Sequence, residues 1–187
     1  MKRVFFILLI FIGNLINADE LKKQNLWELL QENNYFAMIR HAYAPGFGDP
    51  ENFDVNIKST QRNLNETGKI QAKKIGELFR KNGINKAEIY SSYWFRCYDT
   101  AVLLDLGKVS KFEGLNSFFQ DHYDENTTSN ILKEFLKTKK FNKPLVLVTH
   151  QVNITELTDY YPDSGEIIIV KKENNNSFKV VGTIPTL

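Results

Sequence analysis

Pro144-Leu145-Val146-Leu147-Val148-Thr149-His150 is the stretch whose reading decides the fold. Its apolar run does not alternate with polar residues, the pattern of a strand covered on both faces, and such strands belong to parallel sheets sandwiched between helices. The run passes straight into Thr149-His150, so the first side chains beyond the strand can do chemistry. Upstream, helix and strand patterns alternate. Leu21 to Glu32 carries Leu26, Leu29 and Leu30 at helical spacing, and Tyr35 to Ile39 is a short buried-strand run. Asn65 can cap a helix with Gly68, Ala72, Ile75 and Phe79 on one face, ending at Gly83. A strand ends at Tyr90-Ser91-Ser92, a helix runs from Trp94 to Leu104, a strand lies near Val109 to Phe112, and a helix passes through Leu132, Phe135 and Leu136. The tail, Glu166 to Val170 and Phe178 to Ile184 about Asn174-Asn175-Asn176, reads as a closing hairpin. The alternation predicts one α/β domain, with no linker or internal repeat.

The N-terminus differs from the rest. Met1-Lys2-Arg3 precedes nine apolar residues, Val4 to Ile12, and the segment ends at Ile16-Asn17-Ala18. A basic start, an apolar run about half the roughly 20 residues of a spanning helix, and a small residue at the end predict a cleaved signal peptide over residues 1–18. An uncleaved anchor is the alternative. The single domain then covers residues 19–187, and the expected location is secreted or periplasmic, without stable membrane insertion after cleavage. The chain has 187 residues, with 24 Lys and Arg against 22 Asp and Glu; losing Lys2 and Arg3 with the leader leaves 22 of each sign. A balanced chain without a basic stripe argues against a nucleic-acid partner. Cys97 is the single cysteine, so no intramolecular disulfide is possible and the core must hold the fold.

In open α/β sheets ligands bind beyond the carboxyl ends of the parallel strands. Here those ends lead into Arg40-His41, through Ser92 to Arg96, and into His150, with Arg62 just before the capped helix. Three arginines and two histidines on one rim would form a cationic pocket suited to phosphate, because the guanidinium fork pairs two donors with two phosphate oxygens. Helix N-termini at the same rim would add backbone donors. Residues 42–63, with Pro45, Gly46, Gly48, Asp49 and Pro50, form a loop long enough to be functional. Its Tyr43, Phe47 and Phe53 suggest an organic group beyond the phosphate.

Met38-Ile39-Arg40-His41-Ala42 resembles the Arg-His-Gly signature of the histidine phosphatase superfamily, also called phosphoglycerate mutase-like. Arg62-Asn63-Leu64-Asn65-Glu66-Thr67-Gly68 with Gln71-Ala72, Ser91-Ser92-Tyr93-Trp94-Phe95-Arg96 through Ala101, and Val146 to His150 are similar to three further segments of that family. The resemblance spans about residues 35–170. It implies a three-layer sandwich with a mostly parallel central sheet flanked by helices, and a metal-independent phosphomonoesterase with no cofactor that acts on a small phosphorylated substrate. His41 would attack phosphorus to give a phosphohistidine, while Arg40, Arg62, Arg96 and His150 would hold the phosphoryl oxygens. An acid from the loop Phe118 to Glu125 would protonate the leaving group. Asp121, desolvated by the aromatic pair before it, is the first candidate, with Asp124 and Glu125 as alternatives.

Three departures stand out: Ala42 where Gly is usual, Tyr93 where Pro is usual, and Gln151 after the second histidine. The Ala42 methyl is expected to tighten the phosphate pocket. Cys97 reads as a small buried residue rather than a nucleophile. Two other functions remain open: a non-catalytic phosphate- or phosphosugar-binding module using the same pocket, and a metal site built from His41, His122 and His150. No pair of these histidines has a close chelating spacing. Substrate identity and oligomeric state are not legible.

Overall fold

The computed structural model describes residues 25–186, so the expected signal peptide lies outside the described residues. Six strands form one sheet: β1 (Tyr35–Arg40), β2 (Glu88–Ser91), β3 (Val109–Lys111), β4 (Leu145–Thr149), β5 (Ile167–Lys172) and β6 (Phe178–Ile184). Their order is β3-β2-β4-β1-β5-β6. The pairs β3/β2, β2/β4 and β4/β1 are parallel, and the closing hairpin β5–β6 adds two antiparallel strands beyond β1. The expected mostly parallel sheet flanked by helices is the one found.

Alternation along each strand divides the core in two. On one face Ala37, Ile39, Ile89, Val146, Val148, Ile167 and Ile169 pack with Ile75 and Phe79 of α2 (Glu66–Lys81) and Cys97, Ala101 and Leu104 on and just beyond α3 (Phe95–Leu103). On the other, Phe36, Met38, Leu145, Leu147, Ile168 and Val170 meet Leu132 and Leu136 of α4 (Glu125–Thr138) and Ile154 and Leu157 of α5 (Gln151–Thr158). Every residue of β4 is buried, as its unbroken apolar run requires. Each such Leu, Ile or Phe contributes about 1.5–3 kcal/mol by leaving water.

Two elements differ from the sequence reading. Helix α1 covers only Leu26–Leu29; the chain turns over the next residues and reverses at Asn34, whose φ is +72°, to enter β1. Helix α5 has no counterpart in that reading, because Gln151-Val152-Asn153-Ile154-Thr155 alternates polar with β-branched residues and gives no amphipathic stripe. Its formation places a helix N-terminus directly beyond β4.

The register then fixes the site. Arg40 stands opposite Thr149 and Ser91 opposite Val148, so the ends of β1, β4 and β2 lie side by side. The His41 amide donates to Thr149 O and the Ser92 amide to Val148 O, extending the ladder one residue into the site. Gly68 lets the 42–63 loop lie against α2, since a Cβ there would fall 1.9 Å from Tyr43 O. Gln71, one turn on, accepts from the Tyr43 amide at 2.8 Å and donates to Ser164 O at 2.6 Å, tying two loops to one helix.

Candidate active site

Arg40, His41, Arg62, Arg96 and His150 line one cavity of about 370 Å³, together with Tyr43, Phe47, Ser117, Phe119, Gln151 and residues of the 42–63 loop. The five residues singled out at strand ends and helix starts are therefore brought together. His41 and His150 are 2% and 4% exposed, and their rings stand 5.7 Å apart, edge to face.

His41 Nδ1 lies 2.8 Å from Ala42 O. A carbonyl only accepts, so Nδ1 carries the proton and Nε2 keeps its lone pair. Burial, followed by the charges of Arg96, Arg62 and Arg40, holds the His41 pKa well below its ordinary value. The ring is thus neutral and oriented beside three cations, a state in which Nε2 can act as a nucleophile.

His150 Nε2 is 2.9 Å from Ser92 Oγ, and its Nδ1 faces Arg96 Nη2 at 3.5 Å. Arginine can only donate, so Nδ1 accepts and Nε2 donates to Ser92. Ser92 Oγ donates on to Asn116 Oδ1. Burial and then Arg96 lower the pKa of His150 also. In this arrangement both ring nitrogens have protein partners, and His150 backs and orients Arg96.

The arginines are held individually. Arg40 Nη1 donates to Pro162 O at 3.0 Å, while its buried Nε has no partner among the described residues. Arg62 gives Nε to Gly48 O and Nη1 to Ala44 O, so the loop wraps around it; burial and then Arg96 push its pKa down to about 10. Arg96 Nη1 donates to both oxygens of Asp49, at 2.8 and 3.1 Å, and its buried Nε has no partner among the described residues.

Asp49 is the residue that sequence reasoning missed. Its side chain is 3% exposed. It also accepts from the Arg62 amide at 2.9 Å and from Trp94 Nε1 at 2.9 Å. Burial pushes the carboxyl up, and the contacts to Arg96, Arg62 and Trp94 more than offset this, leaving it below the usual carboxylate range. In the sequence, Gly-Asp-Pro carried only a turn signal. The partner of Asp49 lies 47 positions away, and no local pattern reports such a contact.

The acidic loop supplies different groups from those expected. Ser117 and Phe119 line the cavity, whereas Asp121, Asp124 and Glu125 do not. Gln120 and Asp121 have φ of +63° and +56°, a reversal that leaves Asp121 exposed rather than desolvated by the aromatic pair. Asp124 caps α4, accepting from the Thr127 amide at 2.8 Å. His122 is placed 4.2 Å from the Phe53 ring and tilted against it, and no three His, Cys, Asp or Glu side chains are grouped to hold a metal among the described residues. The three-histidine site is not assembled. Phe53 also leaves the mouth, stacking on Trp94 at 5.0 Å.

Each departure has a local account. Ala42 is fully buried with Ala44, Leu64 and Ala72, so its methyl fills the core behind the loop instead of tightening the pocket. The Tyr93 amide donates to Asn116 Oδ1 at 2.9 Å, a bond that proline could not make. Gln151 opens α5, and no side chain caps that helix, so its first amides stand at the cavity edge with the positive end of the helix dipole. Cys97 is fully buried, 3.4 Å from His150 Nε2, and burial pushes its thiol up to about 12.

No curated protein sequence matches the chain. Among solved structures it is similar to the protein histidine phosphatase SixA complexed with tungstate, at 13% identity and a TM-score of 0.59, covering 81% of this chain and 97% of that one. It is also similar to a mycobacterial glucosyl-3-phosphoglycerate phosphatase complexed with VO3, at 16% identity and a TM-score of 0.55, covering 79% and 96%. A phosphoserine phosphatase from Entamoeba histolytica in complex with 3-phosphoglyceric acid gives 14%, 0.55, 81% and 97%. At such identities the likeness is one of fold. The family model of the histidine phosphatase superfamily, branch 1, matches residues 37–144, more than half of the sequence, and the chain belongs to that superfamily.

Proposed function

We propose that the protein is an exported phosphomonoesterase that needs no metal and works through a phosphohistidine on His41. The observation that carries this reading is the state of His41: its Nδ1–H is fixed on Ala42 O and its Nε2 lone pair is available in a cavity ringed by Arg40, Arg62 and Arg96. Nε2 attacks phosphorus in line as the bond to the leaving oxygen breaks, and water then releases phosphate from the histidine. The three guanidiniums neutralise the non-bridging oxygens, the task that Mg²⁺ performs in other phosphoryl-transfer sites. The uncapped start of α5 adds amide donors, and His150 holds Arg96 against the anion. Export rests on the residue pattern of Met1 to Ala18.

The test is phosphate release from phosphosugars, aryl phosphates, nucleotides and phosphohistidine, with and without EDTA, for the wild type and His41→Ala. Wild-type turnover should persist in EDTA. His41→Ala should lose on the order of a thousandfold or more in turnover while still binding vanadate, because the arginines remain. Equal inactivity of both proteins on every ester, with equal anion binding, would make the pocket a binding site instead. Mass spectrometry of the exported protein should find Asp19 at its N-terminus; an intact Met1 in the membrane fraction would identify an anchor.

A further inference from the structure

The cavity is cationic at its floor and aromatic at its mouth. Tyr43, Phe47 and Phe119, 40%, 89% and 38% exposed, are three of the seven large hydrophobic side chains exposed among the described residues, and all three line this cavity. Phe47 and Phe119 stand edge to face, with centroids 5.2 Å apart and planes at 83°. They come from two loops that are bolted together: Gln120 Oε1 accepts from the Asp49 amide at 2.7 Å, and Gln120 Nε2 donates to Asp49 O at 3.3 Å. Gly48 makes room for that side chain, since a Cβ there would lie 2.8 Å from Gln120 Oε1. The aromatic pair is therefore held in place and exposed at the rim of a cavity, the placement in which clustered surface apolar groups mark a ligand site. Whatever covers it shares a cavity with three arginines, so the occupant combines an anion with an apolar group.

We propose that this lip is a subsite for the ring of an aromatic phosphomonoester, a phosphate carried on a phenolic oxygen; the proposal rests on the phosphatase reading above. A flat ring can stack on one face of the perpendicular pair and meet the edge of the other, the two geometries that aromatic groups favour. The chemistry of departure agrees. When His41 Nε2 bonds to phosphorus, the P–O(aryl) bond breaks with its electron pair on the phenolic oxygen, which water then protonates. A phenol has a pKa of about 10, so its oxide leaves without prior protonation, whereas an alkoxide does not. The cavity lining contains no Asp or Glu among the described residues. The same ring chemistry is offered by a free aryl phosphate and by a phosphotyrosyl peptide.

The experiment separates binding from turnover. Phenylphosphonate and methylphosphonate, which cannot be hydrolysed, are titrated calorimetrically into the full-length wild type, Phe47→Ser/Phe119→Ser and Phe47→Trp. Phenyl phosphate and ethyl phosphate are assayed in parallel. The wild type should bind the phenyl ligand on the order of tenfold more tightly than the methyl one. That ratio should collapse in the double serine variant and survive in Phe47→Trp, and kcat/KM should favour phenyl phosphate. Equal affinity for both phosphonates in the wild type, or a preference that persists without the two rings, would overturn the proposal. A phenylphosphonate preference with no ester hydrolysed would sink the phosphatase reading and leave the subsite standing. Tighter binding of a phosphotyrosyl peptide than of free phosphotyrosine would identify protein as the source.

Discussion

The floor and the lip of the cavity are built in opposite ways. The floor groups stand at strand ends or at the starts of helices, and His41, Arg96 and His150 among them are less than 5% exposed and held by hydrogen bonds, the His41 amide to Thr149 O, His150 Nε2 to Ser92 Oγ and Arg96 Nη1 to Asp49. The lip stands on two loops, leaves its aromatic rings exposed to solvent in part, and is held by contacts between side chain and backbone far apart in sequence. A floor of this kind fixes what reaction is possible, and a lip of this kind fixes which molecules are presented to it.

The comparison is sharpest at Asp49, which joins the two. Asp49→Ala would leave Arg96 buried without its counter-charge, and removing one partner of a buried pair costs about 3–5 kcal/mol. Denaturant unfolding should show that loss, and anion affinity should fall with it; a variant as stable as wild type would show that lip and floor are independent. Gly68→Ala comes next. Its methyl would meet Tyr43 O at 1.9 Å, and overpacking of this kind costs about 1–3 kcal/mol. A melting temperature unchanged from wild type would show that the loop moves freely off α2.

Acid should act on the fold through the two floor histidines. The folded state holds His41 and His150 neutral, with pKa values well below 6.5, whereas the unfolded chain takes up protons near that value. As pH falls below 6.5 the unfolded state binds more protons, so stability drops, by up to about 1.4 kcal/mol per pH unit for each histidine. Between pH 6.5 and 5.5 the wild type should lose stability along that slope, and His41→Gln should lose about half as much. A flat profile would mean that the floor histidines are charged or open to water. The smallest effect is expected at the lip's outer margin. Asp121→Asn should change stability by less than about 0.5 kcal/mol, as exposed substitutions do, and should slow alkyl phosphates no more than aryl ones. A selective loss on alkyl esters would restore Asp121 as a proton donor.

What was legible in the sequence follows the same division. Arg40, His41 and His150 could be read because a buried strand announces itself by composition, and the residue after it inherits a position. Arg62 and Arg96 followed from their places, one just before a capped helix whose face repeats every three to four residues and the other at the start of a helix that follows a strand end. Asp49, Phe119 and Gln120 had no such signal, because loop geometry depends on contacts across the fold and on local reversals such as the left-handed pair Gln120-Asp121. The acidic run from Asp121 to Glu125 looked catalytic by composition, yet Asp124 serves as a helix cap. Helix α5 was hidden because tertiary packing of Ile154 and Leu157 fixes a segment whose local pattern favours neither helix nor strand.

Cys97 has one further consequence. Its sulfur touches the second histidine from behind, yet with a thiol pushed up to about 12 it carries almost no thiolate at neutral pH. Thiolate is the species that oxidants and disulfides attack. The sulfhydryl is also fully buried, so a protonated thiol out of reach of water is a poor partner for crosslinking or oxidation behind the second histidine.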